Sequence, residues 1–149
     1  MALQDTIDAA DVVTASINAA ILTAAITEAI ADFSRVFVPQ FDVDELSAPK
    51  GEVFPAGMNL ARADRRGDSE TSVIEIGIGR VLTNETTDIE TQLLTVNEVK
   101  EAIRPIQFLE LTNGDTLQFT KLDLTLFVPE LFKSRVCLSI IRVEYRGFS

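Results

Sequence analysis

Two charged clusters offer the most concentrated chemistry in this sequence. Three carboxylates crowd together at Asp42, Asp44 and Glu45, and three arginines, Arg62, Arg65 and Arg66, surround Asp64, Asp68 and Glu70 in the stretch ARADRRGDSE. The carboxylates are of the type that binds Ca²⁺ or divides acid and base work in hydrolysis. A Ca²⁺ loop, however, needs a longer run of oxygen ligands with a glycine for its sharp turn, and no such spacing follows. A solvated turn is the better reading of this cluster. A glycosidase pair drawn from distant segments would sit in a cleft with aromatic platforms, and the chain has no Trp and one Tyr. The arginine cluster also spells Arg66-Gly67-Asp68-Ser69, the cell-adhesion motif, which matches by chance more often than by function in an acidic chain of this kind.

Other reactive groups are sparse. The sequence contains no His, the commonest general base and transition-metal ligand. Its single Cys137 falls at a core-type position with no base to activate it. No dinucleotide fingerprint, phosphate loop or nucleophile elbow occurs, and Gly77-Ile78-Gly79 lies inside a strand pattern, where glycine relieves close packing. The expectation is a protein without catalysis, cofactor or metal.

Composition narrows the partners. The 149 residues match one ordinary domain, and the net charge of -10 opposes a nucleic-acid grip or an anionic membrane surface. A mean hydropathy of +0.19 is high for so acidic a chain and suggests apolar surface reserved for subunit contacts. One cysteine and an N-terminus lacking a basic region point to the cytosol. The most apolar window, Val12 to Ala31, is interrupted by Thr14, Ser16, Asn18, Thr23, Thr27 and Glu28, short of what a membrane span requires.

The elements that position these groups follow from periodicity. The first 33 residues read as a helix, with Asp5 as a candidate N-cap and Val13, Ile17, Ile21, Leu22, Ile26, Ile30 and Phe33 as a drifting apolar stripe. RVFVPQF from Arg35 reads as a strand that Pro39 ends or marks as an edge, and Gly51 to Ala61 and Ser72 to Leu82 as two more. If those two are antiparallel neighbours, ARADRRGDSE is a long charged connection between them. Thr87-Asp88-Ile89-Glu90 matches a capping box, followed by the stripe Ile89, Leu93, Val96, Val99, Ile103 and a stop at Arg104-Pro105. Asn113-Gly114 predicts a type I′ hairpin between QFLEL and TLQF. RVCLSIIRVEYR reads as a last strand, with Cys137, Ile141, Val143 and Tyr145 on one face and Arg142, Glu144 and Arg146 on the wet one. The fold class is therefore α+β, a mostly antiparallel sheet packed by an N-terminal helix and a second helix in a single domain.

In this order the stretches VFVPQFDVDEL, VFPAGMNLARADR, SVIEIGIGR, LLTVNEVKEAI and LFVPELFKSRVCLSIIRVEYR resemble the tail-terminator and tail-completion proteins of tailed bacteriophages. The resemblance spans most of the chain and departs around Asn113-Gly114, where the hairpin is better defined than that family's variable region. It implies a structural subunit forming a homo-oligomeric ring, a hexamer, on the head-proximal end of the tail tube. That ring would stop tube polymerisation, contact the tail tube protein and the neck or connector protein, and let DNA pass through its acidic lumen without specific binding. The setting implied is the virion tail or neck, assembled in the host cytoplasm, with no membrane. Within it, Arg62, Arg65, Arg66 and Asp68 are expected at a subunit or partner interface, and Ile17 and Ile21 either in the ring or on the sheet. A neck stopper or head-completion ring and a non-phage protein-binding module are the alternatives; a carboxylate enzyme ranks behind them.

Overall fold

The computed structural model describes residues 3–23, 25–26, 30, 33–38, 48–62, 68–128 and 135–148, with the side chains of 58–62, 68–69 and 148 excepted. Its elements run α1 (Leu3–Leu22), β1 (Ser34–Arg35), β2 (Lys50–Arg62), β3 (Asp68–Val81), α2 (Glu85–Ile103), β4 (Phe108–Glu110), β5 (Thr116–Thr125) and β6 (Val136–Phe148). The strands form one six-stranded sheet in the order β1-β2-β3-β6-β5-β4, antiparallel except where β1 runs parallel to β2. This is the α+β architecture that the periodicities predict.

The alternation in β3 places Ile74, Ile76 and Ile78 on one face, and Ile141, Val143 and Tyr145 of the adjacent β6 share it. Ala9, Ala10, Val13 and Ile17 of α1 and Val96, Val99 and Ile103 of α2 complete the same buried cluster, so both helices cover that one face. The opposite face is not uniformly wet. Val136 and Leu138 pack there with Val81, Val128 and Ile140 into a second, smaller cluster. Leu138 carries the segment after β5 with it, accepting a backbone bond from Val128 at 3.1 Å.

Several boundaries differ from the sequence expectation, each for a local reason. The first helix stops at Leu22, well before residue 33, and Leu22 itself is 85% exposed. Beyond it Ile26, Ile30 and Phe33 are still buried, because the chain folds back: the Asn18 amide accepts from Phe33 N at 2.7 Å and donates to Phe33 O at 3.1 Å. Asp5 is no N-cap but a buried residue of the first turn, accepting from Asn113 Nδ2 at 2.9 Å. The strand expected over RVFVPQF contracts to Ser34–Arg35; Phe37 and Val38 beyond it are exposed, and the rest lies outside the described residues.

The cap of α2 sits three residues earlier than the Thr87 box. Asn84 is the N-cap and accepts from Thr87 N at 3.4 Å, while Asp88 reaches back to Thr83 N at 2.7 Å and Asn84 N at 2.9 Å. Its carboxyl oxygen thus satisfies donors that would otherwise be orphaned at the helix start. The β4–β5 hairpin also corrects the type I′ expectation. Only Gly114, at φ 89°, has a positive φ there, and Gly114 N donates to Leu111 O at 3.0 Å. The loop is thus a three-residue turn with glycine in the left-handed position. Asn113, relieved of that conformation, bonds Asp115 N and Asp5 through its side chain.

Candidate functional site

The arginine stretch is strand at both of its ends. β2 and β3 stay paired to Ala61↔Ser69 and Arg62↔Asp68, so Arg62 closes one strand and its cross-strand partner Asp68 opens the next. Ser69 and Glu70 also pair with Phe148 and Gly147 of β6 on the other side of β3. Backbone groups satisfied on both flanks hold these residues in the ladder. The connection therefore shrinks from the ten residues of ARADRRGDSE to 63–67 at the tip of a long ribbon. Arg65 and Arg66 lie outside the described residues, as do the side chains of Arg62 and Asp68. The carboxylates Asp42, Asp44 and Glu45 lie outside them too. Ile17 is fully buried in the core and Ile21 packs half-buried against it.

A polar network inside the core escaped the stripe assigned to α2. Leu93 is exposed at 37%, and Gln92, one position earlier, is fully buried. Gln92 Nε2 donates to Ile78 O at 2.7 Å and to Ser139 Oγ at 3.0 Å, and its Oε1 accepts from Arg80 Nε at 2.8 Å. Ser139 Oγ in turn donates to Leu126 O. One amide thus ties α2 to β3, to β6 and, through Ser139, to the segment after β5. The signal was present in the spacing: residues 92, 96, 99 and 103 follow the i, i+4, i+3, i+4 rhythm, but a polar residue at the first position hid it.

The two remaining reactive side chains of β6 are sealed. Cys137 is fully buried, and that burial pushes its thiol up to about 11, far from a nucleophilic thiolate. Tyr145 is equally enclosed, its ring edge-on to Phe119 at 6.0 Å between centroids, and burial raises its phenol well above the ordinary value. Neither has access to a substrate.

An open recess lies at the far edge of the sheet. Lys100 and Arg104 from the end of α2, Gln107, and Phe119, Thr120, Lys121 and Leu122 from β5 line a cavity of about 400 Å³. Three of these residues are cationic and none is acidic, in a chain with 13 Lys and Arg against 23 Asp and Glu. Exposed carboxylates at the rim share them: Glu101 lies 3.4 Å from Lys100 and 3.7 Å from Arg104, and Asp123 3.3 Å from Lys121. The recess exists because β4 covers so little of β5. Only Phe108 to Glu110 pair with it, opposite Thr116 to Gln118, and Phe119 N adds one bond to Gln107 O at 2.8 Å. From Thr120 onward no strand among the described residues pairs with the outer edge of β5. Exposed Leu124 and Leu126 continue that edge.

Among the described residues no helix is long and apolar enough to cross a membrane, and no group of three or more metal-ligating side chains is assembled. No protein-family model matches the sequence, and no curated protein matches it. Among solved structures, the fold is similar to that of a chain in the virion of a native gene transfer agent (GTA) particle. The TM-score is 0.50 with 15% sequence identity, and the match covers 94% of this chain and 94% of that one.

Proposed function

We propose that this chain is a non-catalytic structural protein of a phage-like virion. Its role is that of a tail terminator: a homohexameric ring on the head-proximal end of the tail tube that ends tube growth and joins tail to neck. The observation that carries this reading is fold similarity running end to end, over 94% of both chains, with a protein of a gene transfer agent virion. The ordered resemblance to tail-completion proteins, from VFVPQFDVDEL to LFVPELFKSRVCLSIIRVEYR, supports the finer assignment.

The physical features agree. A chain of net charge -10 lines a lumen that repels DNA and lets it pass without specific binding. Exposed Phe37, Val38, Phe108, Leu124 and Leu126 supply apolar area of the kind a subunit interface buries. Arg62, Arg65, Arg66 and Asp68 are assigned to the contact with the next subunit, the tube protein or the neck protein, while Ile17 and Ile21 set α1 on the sheet. The site of action is the tail or neck of the virion, assembled in the host cytoplasm.

The test is electron microscopy of the purified protein alone and mixed with tail tubes, with light scattering after size exclusion. Closed rings, or caps on tube ends that stop elongation, are the expected result. A monomer that leaves tube length and tube ends unchanged would overturn the assignment.

A further inference from the structure

From the bulge at Thr120 to Thr125, β5 borders β6 on one side and no strand among the described residues on the other, leaving a lane of about 20 Å. Backbone groups along such an edge are a template for an added strand. The register decides what the two faces of that strand would meet. Leu122 and Leu124 stand opposite Val143 and Ile141 on the helix side, and Leu124 is 40% exposed although Ile141 is fully buried. The apolar cluster runs out here uncovered. Lys121 stands opposite Glu144, on the other face, and Lys100 and Arg104 at the end of α2 line the recess beside Phe119.

We infer that this edge docks an extended acidic segment of a partner protein, added to the sheet as an outer strand in which apolar side chains alternate with carboxylates. The apolar side chains cover Leu122 and Leu124, the carboxylates on the opposite face meet Lys121, and a carboxylate at the end next to α2 meets Lys100 and Arg104. Charge selects this occupant. Three of the residues lining the recess are cationic and none is acidic, in a chain of net charge -10. The pairs that Glu101 and Asp123 make with them are exposed and contribute little, so they give way to an incoming carboxylate. A second copy offers no matching edge. Two β5 edges would bring like cations together, and the outer edge of β2 is interrupted by Pro55, which has no N–H, and by the register shift before Gly57. Nucleic acid would meet the cations but leave the backbone edge and the leucines unmatched, against the net charge of the chain. This docking needs no ring and stands apart from the proposed tail role.

The experiment measures, by anisotropy at low and high salt, the binding to the full chain of a fluorescent peptide of alternating valine and glutamate with a second glutamate at each end. Hydrogen exchange read by mass spectrometry locates it. Salt-sensitive binding, weakened about tenfold or more by Arg104→Glu/Lys121→Glu and accompanied by slower exchange at residues 120–125, is the expected result. Both substituted side chains are exposed, so the circular dichroism of the variant should match that of the parent. A peptide with lysine in place of glutamate, and one methylated at every backbone nitrogen so that it cannot form the ladder, should not bind. No binding up to about 1 mM, equal binding to the variant, or equal binding of either control peptide would overturn the inference. So would slow exchange at 120–125 in the free protein, since the lane would then be filled by this chain or by a second copy. Tighter binding of an oligothymidylate, lost in the same variant, would assign the recess to nucleic acid and overturn the peptide assignment.

Discussion

At the scale of single residues, polar groups inside the fold set its alignment. Gln92 uses both ends of its amide, and removing it leaves Ile78 O, Ser139 Oγ and Arg80 Nε without that partner in a buried site. Gln92→Ala should therefore destabilise by about 2–3 kcal/mol in urea unfolding, more than its modest apolar area would suggest. Asp88 acts at the surface. Backbone N–H groups of Thr83 and then Asn84 hold its carboxyl below the ordinary value, so its stabilisation is present above the unfolded value near about 3.9 and is lost as pH falls through the folded one. Asp88→Asn should cost about 1 kcal/mol near neutral pH, and thermal melts of the two proteins should converge as pH drops below about 4. Cys137 should resist alkylation in native protein at pH 8 and react only on unfolding, because its thiol is protonated and enclosed.

At the scale of elements, close approaches fix where α1 and the returning chain sit on the sheet. A methyl group at Gly51 would lie 2.4 Å from the Phe33 ring, which is itself buried. Gly51→Ala should lower stability by about 1–3 kcal/mol through this overpacking, read from chemical denaturation. Asp5 and Asp8 of α1 bond Asn113 and Thr112 across the sequence, so the first helical turn and the β4–β5 turn locate each other. Legibility varied accordingly. α2 was readable because its stripe and its stop at Arg104 are local. Its cap was misplaced because Asn84 and Asp88 form an equivalent box that the Thr87 and Glu90 pattern masked. The end of α1 was not readable, since Ile26, Ile30 and Phe33 keep the helical rhythm while being buried by a chain that has turned back.

At the scale of the whole molecule, a sheet with a short covering strand at each end is suited to assembly. β1 spans two residues and β4 three, leaving much of β2 and β5 bordered on one side only among the described residues. Soluble monomers ordinarily blunt such edges. Replacing Arg62, Arg65 and Arg66 together with Ala should weaken ring formation or tube capping while leaving the circular dichroism spectrum unchanged. Intact assembly in that variant would remove the ribbon tip from the interface.

The amino-acid sequence by itself determined the fold class, the strand pattern of β3 and β6, the existence of α2 and the scarcity of reactive groups. Each of these depends on composition or on side chains a few positions apart. Only the tertiary structure decided that Ala61, Arg62 and Asp68 to Glu70 of the charged stretch belong to the ladder, that Gln92 and Arg80 are buried together, and that Lys100, Arg104 and Lys121 meet at an open edge. Those facts depend on which strands become neighbours, and pairing across tens of residues is selected by the burial of whole faces, which no local window contains.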